Sequence, residues 1–198
     1  KIAEPDYGYI TNFGKAHLEG FGSEEGVIKG KSELYDYLIS SSGFVFYNSD
    51  DEKQNKILSK YTNKFGFSQK KADFTYNVIS DNPNIILNAK NTTIKSTLFG
   101  SYNIQNIVSA ISIGSYFGIS IEKINEGISN YISSNNRSQI VNKNSNKIVL
   151  DAYNANPTSM TLAIQSFNKS DLKNKILILG DMYELGKEEN KFHQEIVD

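Results

Sequence analysis

Residues 8–48 read GYITNFGKAHLEGFGSEEGVIKGKSELYDYLISSSGFVFYN. A short β-branched and aromatic run, Gly8–Asn12, ends in a glycine-containing loop. A longer stretch follows, Glu24–Ile39, in which Val27, Ile28, Leu34, Tyr35 and Leu38 fall on one broad face at helical spacing. A second strand-like run, Phe44–Asn48, closes the segment. Alternation of this kind argues for α/β layers around a mostly parallel sheet.

Outward from this segment the pattern holds, with one interruption. Asp51–Tyr61 reads as a helix. Strands are expected at Phe74–Ile79, Asn84–Ala89 and Thr92–Leu98, in immediate succession and separated by short Asn and Lys turns, which suggests an antiparallel meander at a sheet edge. Asn103–Phe117 is an apolar helix rich in small residues, and Ile121–Ile132 is another, with Ser120 placed as its N-cap. The polar run Ser133-Ser134-Asn135-Asn136-Arg137-Ser138 is the best linker in the chain and divides it into a larger and a smaller α/β unit. Beyond it strands are expected at Gln139–Asn142, Ile148–Ala152 and Lys175–Gly180. Thr158–Phe167 should be helical, with Pro157 near its first turn, and a last helix should begin near Glu188.

Composition narrows the function classes. The chain has 198 residues, 38% hydrophobic and 22% charged, enough apolar material for a packed core. Its formal net charge of -1 shows no dominant sign, so neither nucleic acid nor an anionic membrane is expected as the main partner. With no cysteine there is neither a disulfide framework nor a thiolate metal site. No run reaches the roughly 20 apolar residues that a bilayer span needs. A cytoplasmic location is compatible with all of this, and a monomer is the default. The sequence opens on KIAEPDYGYITN and closes on HQEIVD within a helical pattern, so both ends read as cuts in something longer.

Four clusters could carry chemistry. The first is Thr11–Glu19, where a strand runs into a loop holding His17. In open α/β sheets ligands gather outside the carboxyl ends of strands, and a neutral imidazole there could bind a divalent metal or act as a base. On position alone, a surface-loop histidine is the favoured reading. The second is Lys29-Gly30-Lys31-Ser32-Glu33-Leu34-Tyr35, where a lysine facing inward could contact phosphate, although a solvated lysine explains it more simply. In the third, Gly100–Asn106, Asn103 could cap the helix it opens. Capping leaves Asn106 unexplained, and its amide could meet a planar partner such as a purine edge. The fourth is Asp151–Ser159 with Arg137 upstream. A hydrophobic strand delivers Asp151 to a polar loop that opens a helix, as a nucleotide or phosphate site would require. A turn with an Asx cap fits equally well. Lys175–Gly180 followed by Asp181–Gly186 repeats this strand-to-loop design. No GxxxxGK[ST] run occurs, so ATP binding does not follow from the residues alone.

Taken in order, the segments ITNFGKAHLEGFGS, KGKSELY, LFGSYNIQN, NNRSQ, DAYNANPTSM and LGDMYELG resemble the Mur ligases. DAYNANPTSM and GDMYELG resemble the branch that adds D-alanyl-D-alanine and argue against a folylpolyglutamate synthetase, the alternative ligase of similar architecture. The resemblance implies residues 1–134 as a central ATP-binding domain lacking its P-loop part, and residues 135–198 as a truncated, Rossmann-like C-terminal domain. It implies ATP and Mg2+ as cofactors. The reaction would form an amide bond through an acyl phosphate, with UDP-N-acetylmuramoyl-tripeptide and D-alanyl-D-alanine as partners in peptidoglycan precursor synthesis. His17 and Lys31 would be catalytic, His17 as a Mg2+ ligand and Lys31 as a carbamate holding a second Mg2+. Asn103 and Asn106 would lie near the adenine. Arg137 and Asp151 would be nucleotide contacts, and Asn154, Asn156 and Ser159 would line the same cleft. His193 matches a family position and reads as structural. Without a P-loop, the 198 residues alone are expected to behave as a folded, catalytically inactive module.

Overall fold

The computed structural model describes residues 3–82 and 84–198. Its element order is β1 (Tyr7–Tyr9), α1 (Leu18–Phe21), α2 (Glu24–Ser40), β2 (Phe44–Asn48), α3 (Glu52–Ile57), β3 (Lys64–Ser68), β4 (Phe74–Ser80), β5 (Asn84–Ala89) and β6 (Thr92–Phe99). A 3-10 turn, Ser101–Asn103, leads into α4 (Ile104–Tyr116). Then come α5 (Ile121–Asn130), β7 (Gln139–Lys143), β8 (Asn146–Leu150), α6 (Pro157–Lys169), a second 3-10 turn (Gly186–Glu188) and α7 (Glu189–Val197). The first six strands form one sheet in sequence order, and β7 and β8 form a separate hairpin. Strands β1 to β4 pair in parallel, while β4–β5 and β5–β6 are antiparallel. The α/β architecture with a mostly parallel sheet and an antiparallel meander at one edge is therefore as expected.

Helices cover both faces, because strands buried on both sides are apolar on both sides. Val45 and Phe46, neighbours on β2, are both buried. Val45 joins Ile10, Phe13, Tyr35, Leu38 and Leu58 in the core beneath α2 and α3. On the other face, Phe67, Tyr76, Ile85, Leu87 and Ile94 pack against Ile107, Val108 and Ile111 of α4 and Ile124 of α5. A third cluster, Leu18, Val27, Met182, Leu185 and Phe192, ties the end of the chain to α1 and α2. The caps are local in origin: Ser23 Oγ accepts from Gly26 N, Asp51 from Lys53 N and Gln54 N, and Ser120 from Lys123 N.

Two reversals of direction, at β4–β5 and β5–β6, return β6 to the sense of β4. Gly100–Asn106 therefore emerge at the same end of the sheet as Ile10–His17. Six strands at about 4.8 Å spacing would set these loops roughly 24 Å apart on a flat sheet. Helix α6, with 13 residues and so about 20 Å long, reaches across that end. Lys15 N donates to Thr158 Oγ1 (3.3 Å), Ser101 and Ser166 share a hydroxyl bond (3.1 Å), and Asn82 Nδ2 donates to Lys169 O (3.0 Å).

Three expectations need correction. Lys175–Gly180 is not a strand: it has no ladder partner, and Ile176 and Ile178 are 78% and 93% exposed. An apolar run becomes a strand only where a neighbour accepts its hydrogen bonds. Lys64–Ser68 is a strand not read from the sequence, paired on both sides by β2 and β4. The helix expected to reach Tyr61 ends at Ile57.

Candidate functional site

The loop that follows β1 is held from below. Gln54 is fully buried. Its Nε2 donates to Ile10 O (3.2 Å) and its Oε1 accepts from Asn48 N (3.0 Å), which ties together the carboxyl ends of β1 and β2. The Tyr35 hydroxyl accepts from Ile10 N (3.3 Å) and lies 3.2 Å from Gln54 Oε1. On this base Asn12 turns the chain, its Oδ1 accepting from Gly14 N (3.0 Å). Lys31, half-buried on α2, points its ammonium group at the same turn and donates to Asn12 O (2.9 Å). Burial lowers the Lys31 pKa from the ordinary lysine value, because desolvation disfavours the charged form.

His17 sits exposed in the left-handed region at φ 56, just before α1. Its Nδ1 meets the Glu184 carboxylate, and Glu19 N donates to Glu184 O (3.0 Å). The GDMYELG segment is thus docked on the His17 loop, anchored by buried Met182 and Leu185. His193 Nε2 accepts from Met182 N (3.0 Å), a bond that holds the same segment. Among the described residues no group of three or more His, Cys, Asp or Glu side chains is placed to hold a metal ion. His17 and an unmodified Lys31 do not make such a set by themselves. A metal at this loop would need further oxygen donors, from a carboxylate-like group on Lys31 or from a bound phosphate.

At the far edge of the sheet, Asn103 does not cap α4 with its side chain, contrary to expectation. Its Nδ2 donates instead to Phe99 O (2.8 Å) and to Ser138 Oγ (3.0 Å). Its Oδ1 accepts from Nδ2 of exposed Asn106 (3.3 Å). Ser138 Oγ lies 2.8 Å from the Tyr102 hydroxyl, which donates to Asp151 Oδ2 (2.9 Å), while Ser138 N donates to Asp151 Oδ1 (3.0 Å). Burial is the main cause that raises the Tyr102 pKa, so the phenol keeps its proton. Arg137 lies 3.7 Å over the ring of Tyr153, a cation–π stack, and Ala152 N donates to Asn136 O (2.8 Å). Asn103, Asn106, Asp151 and Arg137, scattered in sequence, therefore gather at one corner. Sequence reasoning missed Tyr102, Ser138 and Glu184. Tyr102 offered one faint signal, its place in the strand-end loop before the helix-opening asparagine.

Asn156 and Ser159 form a reciprocal capping box at the start of α6. Asn156 Oδ1 accepts from Ser159 N (2.9 Å) and Ser159 Oγ from Asn156 N (3.1 Å). Asn154 Oδ1 accepts from Ala155 N (2.9 Å). Replacing Asn156 with alanine is expected to destabilise the protein by about 1 kcal/mol, read from the urea midpoint at constant m-value.

Fold and site together define an α/β protein of the layered class, with its polar loops gathered at the carboxyl ends of the sheet and a helix laid across them. Comparison with known proteins makes this more specific. The family described as Mur ligase middle domain matches residues 1–114, and that described as Mur ligase, glutamate ligase domain matches residues 136–198. The chain belongs to the Mur ligases. It is 32% identical over 200 residues to the UDP-N-acetylmuramoyl-tripeptide–D-alanyl-D-alanine ligase of Bacillus subtilis, covering 98% of this chain and 43% of that one. It is 30% identical over 205 residues to the protein of the same name from Escherichia coli, covering 98% and 45%. The chain thus spans less than half the length of these relatives. MurF from Acinetobacter baumannii superimposes with a TM-score of 0.85 at 27% identity, over 98% of this chain and 44% of that one. The Thermotoga maritima MurF ligase, solved in complex with ADP, shares the fold with a TM-score of 0.82 at 23% identity, over 97% and 45%. Among the described residues no helix is long and apolar enough to cross a membrane.

Proposed function

We propose that these residues belong to an ATP-dependent ligase that joins D-alanyl-D-alanine to UDP-N-acetylmuramoyl-tripeptide during peptidoglycan precursor synthesis. Residues 1–134 would be part of its central domain and residues 135–198 the beginning of its C-terminal domain. The observation that carries this reading is the gathering of Asn103, Asn106, Arg137 and Asp151 at one corner of the sheet's carboxyl end. The similarity to ligases of that name over nearly the whole chain supports the substrate class.

ATP supplies the phosphoryl group that activates the terminal carboxylate of the peptide, and the amine of D-alanyl-D-alanine displaces it. The residues here bind, orient and exclude water. Asn106 presents an exposed amide to a planar base. Arg137 carries a permanent positive charge toward phosphate. His17 and Lys31, the latter as a carbamate, would hold Mg2+. Asn154, Asn156 and Ser159 would line the cleft, the last two also serving as helix caps. Helix α6 and the GDMYELG segment close over the loops, and closure strengthens every charge interaction inside and shields the activated carboxylate from water. A monomer suffices for this arrangement, with neither nucleic acid nor membrane as partner.

Phosphate release from ATP and Mg2+ by the full-length enzyme is expected only when both UDP-N-acetylmuramoyl-tripeptide and D-alanyl-D-alanine are present. Release that does not depend on D-alanyl-D-alanine would remove the acceptor assignment.

A further inference from the structure

The hydrogen bonds around Asp151 run in one direction. An ionised carboxylate only accepts, so the Tyr102 hydroxyl donates to Asp151 Oδ2. That hydroxyl then accepts from Ser138 Oγ, whose lone pair accepts from Asn103 Nδ2. The other proton of Asn103 Nδ2 is used on Phe99 O, and Asn103 Oδ1 accepts from Asn106. Along the line Asn106, Asn103, Ser138, Tyr102, Asp151, each donor points toward Asp151. Bonds aligned in this way polarise one another, and the inner members are shielded from water: Asn103 and Ser138 are 8% and 4% exposed. Asp151 is itself exposed, and among the described residues no Lys, Arg or His forms an ion pair with it.

We propose that Tyr102, acting with Ser138, is a positioning residue that fixes the Asp151 carboxylate and couples it to the Asn103–Asn106 pair across the junction of the two units. The proposal rests on the nucleotide-site reading above. Tyr102 contributes its hydroxyl to the carboxylate, and its ring fills the space beside Gly100, where an added Cβ would lie 2.2 Å from the ring edge. Gly100 has φ 90, a conformation that lets the chain turn from β6 directly into this contact.

The test is equilibrium binding of ADP to the full-length enzyme by titration calorimetry. Tyr102→Phe keeps the ring and removes only the hydroxyl. A hydrogen bond to a charged group is at stake, so ADP binding is expected to weaken about 10-fold. Ser138→Ala, which cuts the relay one step earlier, should weaken it in the same direction. In an Asp151→Ala background neither substitution should add more than about twofold, since residues acting through a common partner are not additive. Binding by Tyr102→Phe equal to wild type overturns the proposal and leaves the site reading intact. So does a Tyr102→Phe effect that persists at full size without Asp151, because the tyrosine would then act on the fold alone. Failure of the wild-type enzyme to bind ADP overturns the site reading, and the proposal with it. Thermal melting of each variant separates lost binding from lost folding.

Discussion

Replacing Lys31 with alanine in the full-length enzyme is expected to lower ATP-dependent phosphate release by about 100-fold or more, the loss typical of removing one electrostatic contact to developing charge. The side chain is half-buried, and the hydrogen bonds it makes here are to Asn12, through the backbone oxygen (2.9 Å) and Oδ1 (3.5 Å). A lysine retained under partial desolvation with no carboxylate partner gains little stability from its charge. Its burial would suit the proposed carbamate. A carbamate formed from the neutral amine and dissolved carbon dioxide would convert a cation into an oxygen donor for a hard divalent ion beside His17. Thermal melting should place Lys31→Ala close to wild type, since no core contact is lost. Added bicarbonate should raise the activity of carbon-dioxide-depleted wild type and leave the variant unchanged. Phosphate release within about threefold of wild type would remove Lys31 from the reaction.

The layered fold was legible because it rests on local signals. Val27, Ile28, Leu34, Tyr35 and Leu38 mark α2 by spacing alone, and Ser120 caps its helix as a short polar side chain does. The misread segments are those decided by distant neighbours. Lys64–Ser68 pairs with β2 and β4, while Lys175–Gly180, more apolar, finds no ladder and stays open. The site divides in the same way. Asn103, Asn106 and Asp151 stand at strand and helix ends, where position itself raises suspicion. Tyr102 and Ser138 act through bonds to partners 49 and 35 residues away, and Glu184 meets His17 across 167 residues. Spacing carries no trace of such contacts. Asn156 and Ser159 show the local case again: of the two readings their spacing left open, a phosphate site and a capped turn, the capping box is the one visible in the side-chain bonds.

Gln54→Leu is expected to cost about 3 kcal/mol of folding stability, the upper part of the range for stranding buried polar groups. Leucine fills the space but leaves Ile10 O and Asn48 N without the partners they have at 3.2 and 3.0 Å, and it takes one contact from the Tyr35 hydroxyl. Tyr35 keeps Ile10 N and Phe46 O, so the ring stays in place while the two strand ends are released from each other. Urea unfolding followed by circular dichroism should show the midpoint fall with an unchanged m-value. A loss below about 1 kcal/mol would mean that water reaches the strand ends and replaces the amide. The consequence for the site follows from position. Ile10 lies two residues before Asn12, the residue that receives Lys31, and the same turn leads to His17. Loosening the Gln54 bridge therefore moves the platform of the proposed metal site without touching any residue that would bind the metal. Catalysis should fall along with stability even at temperatures where the variant remains folded.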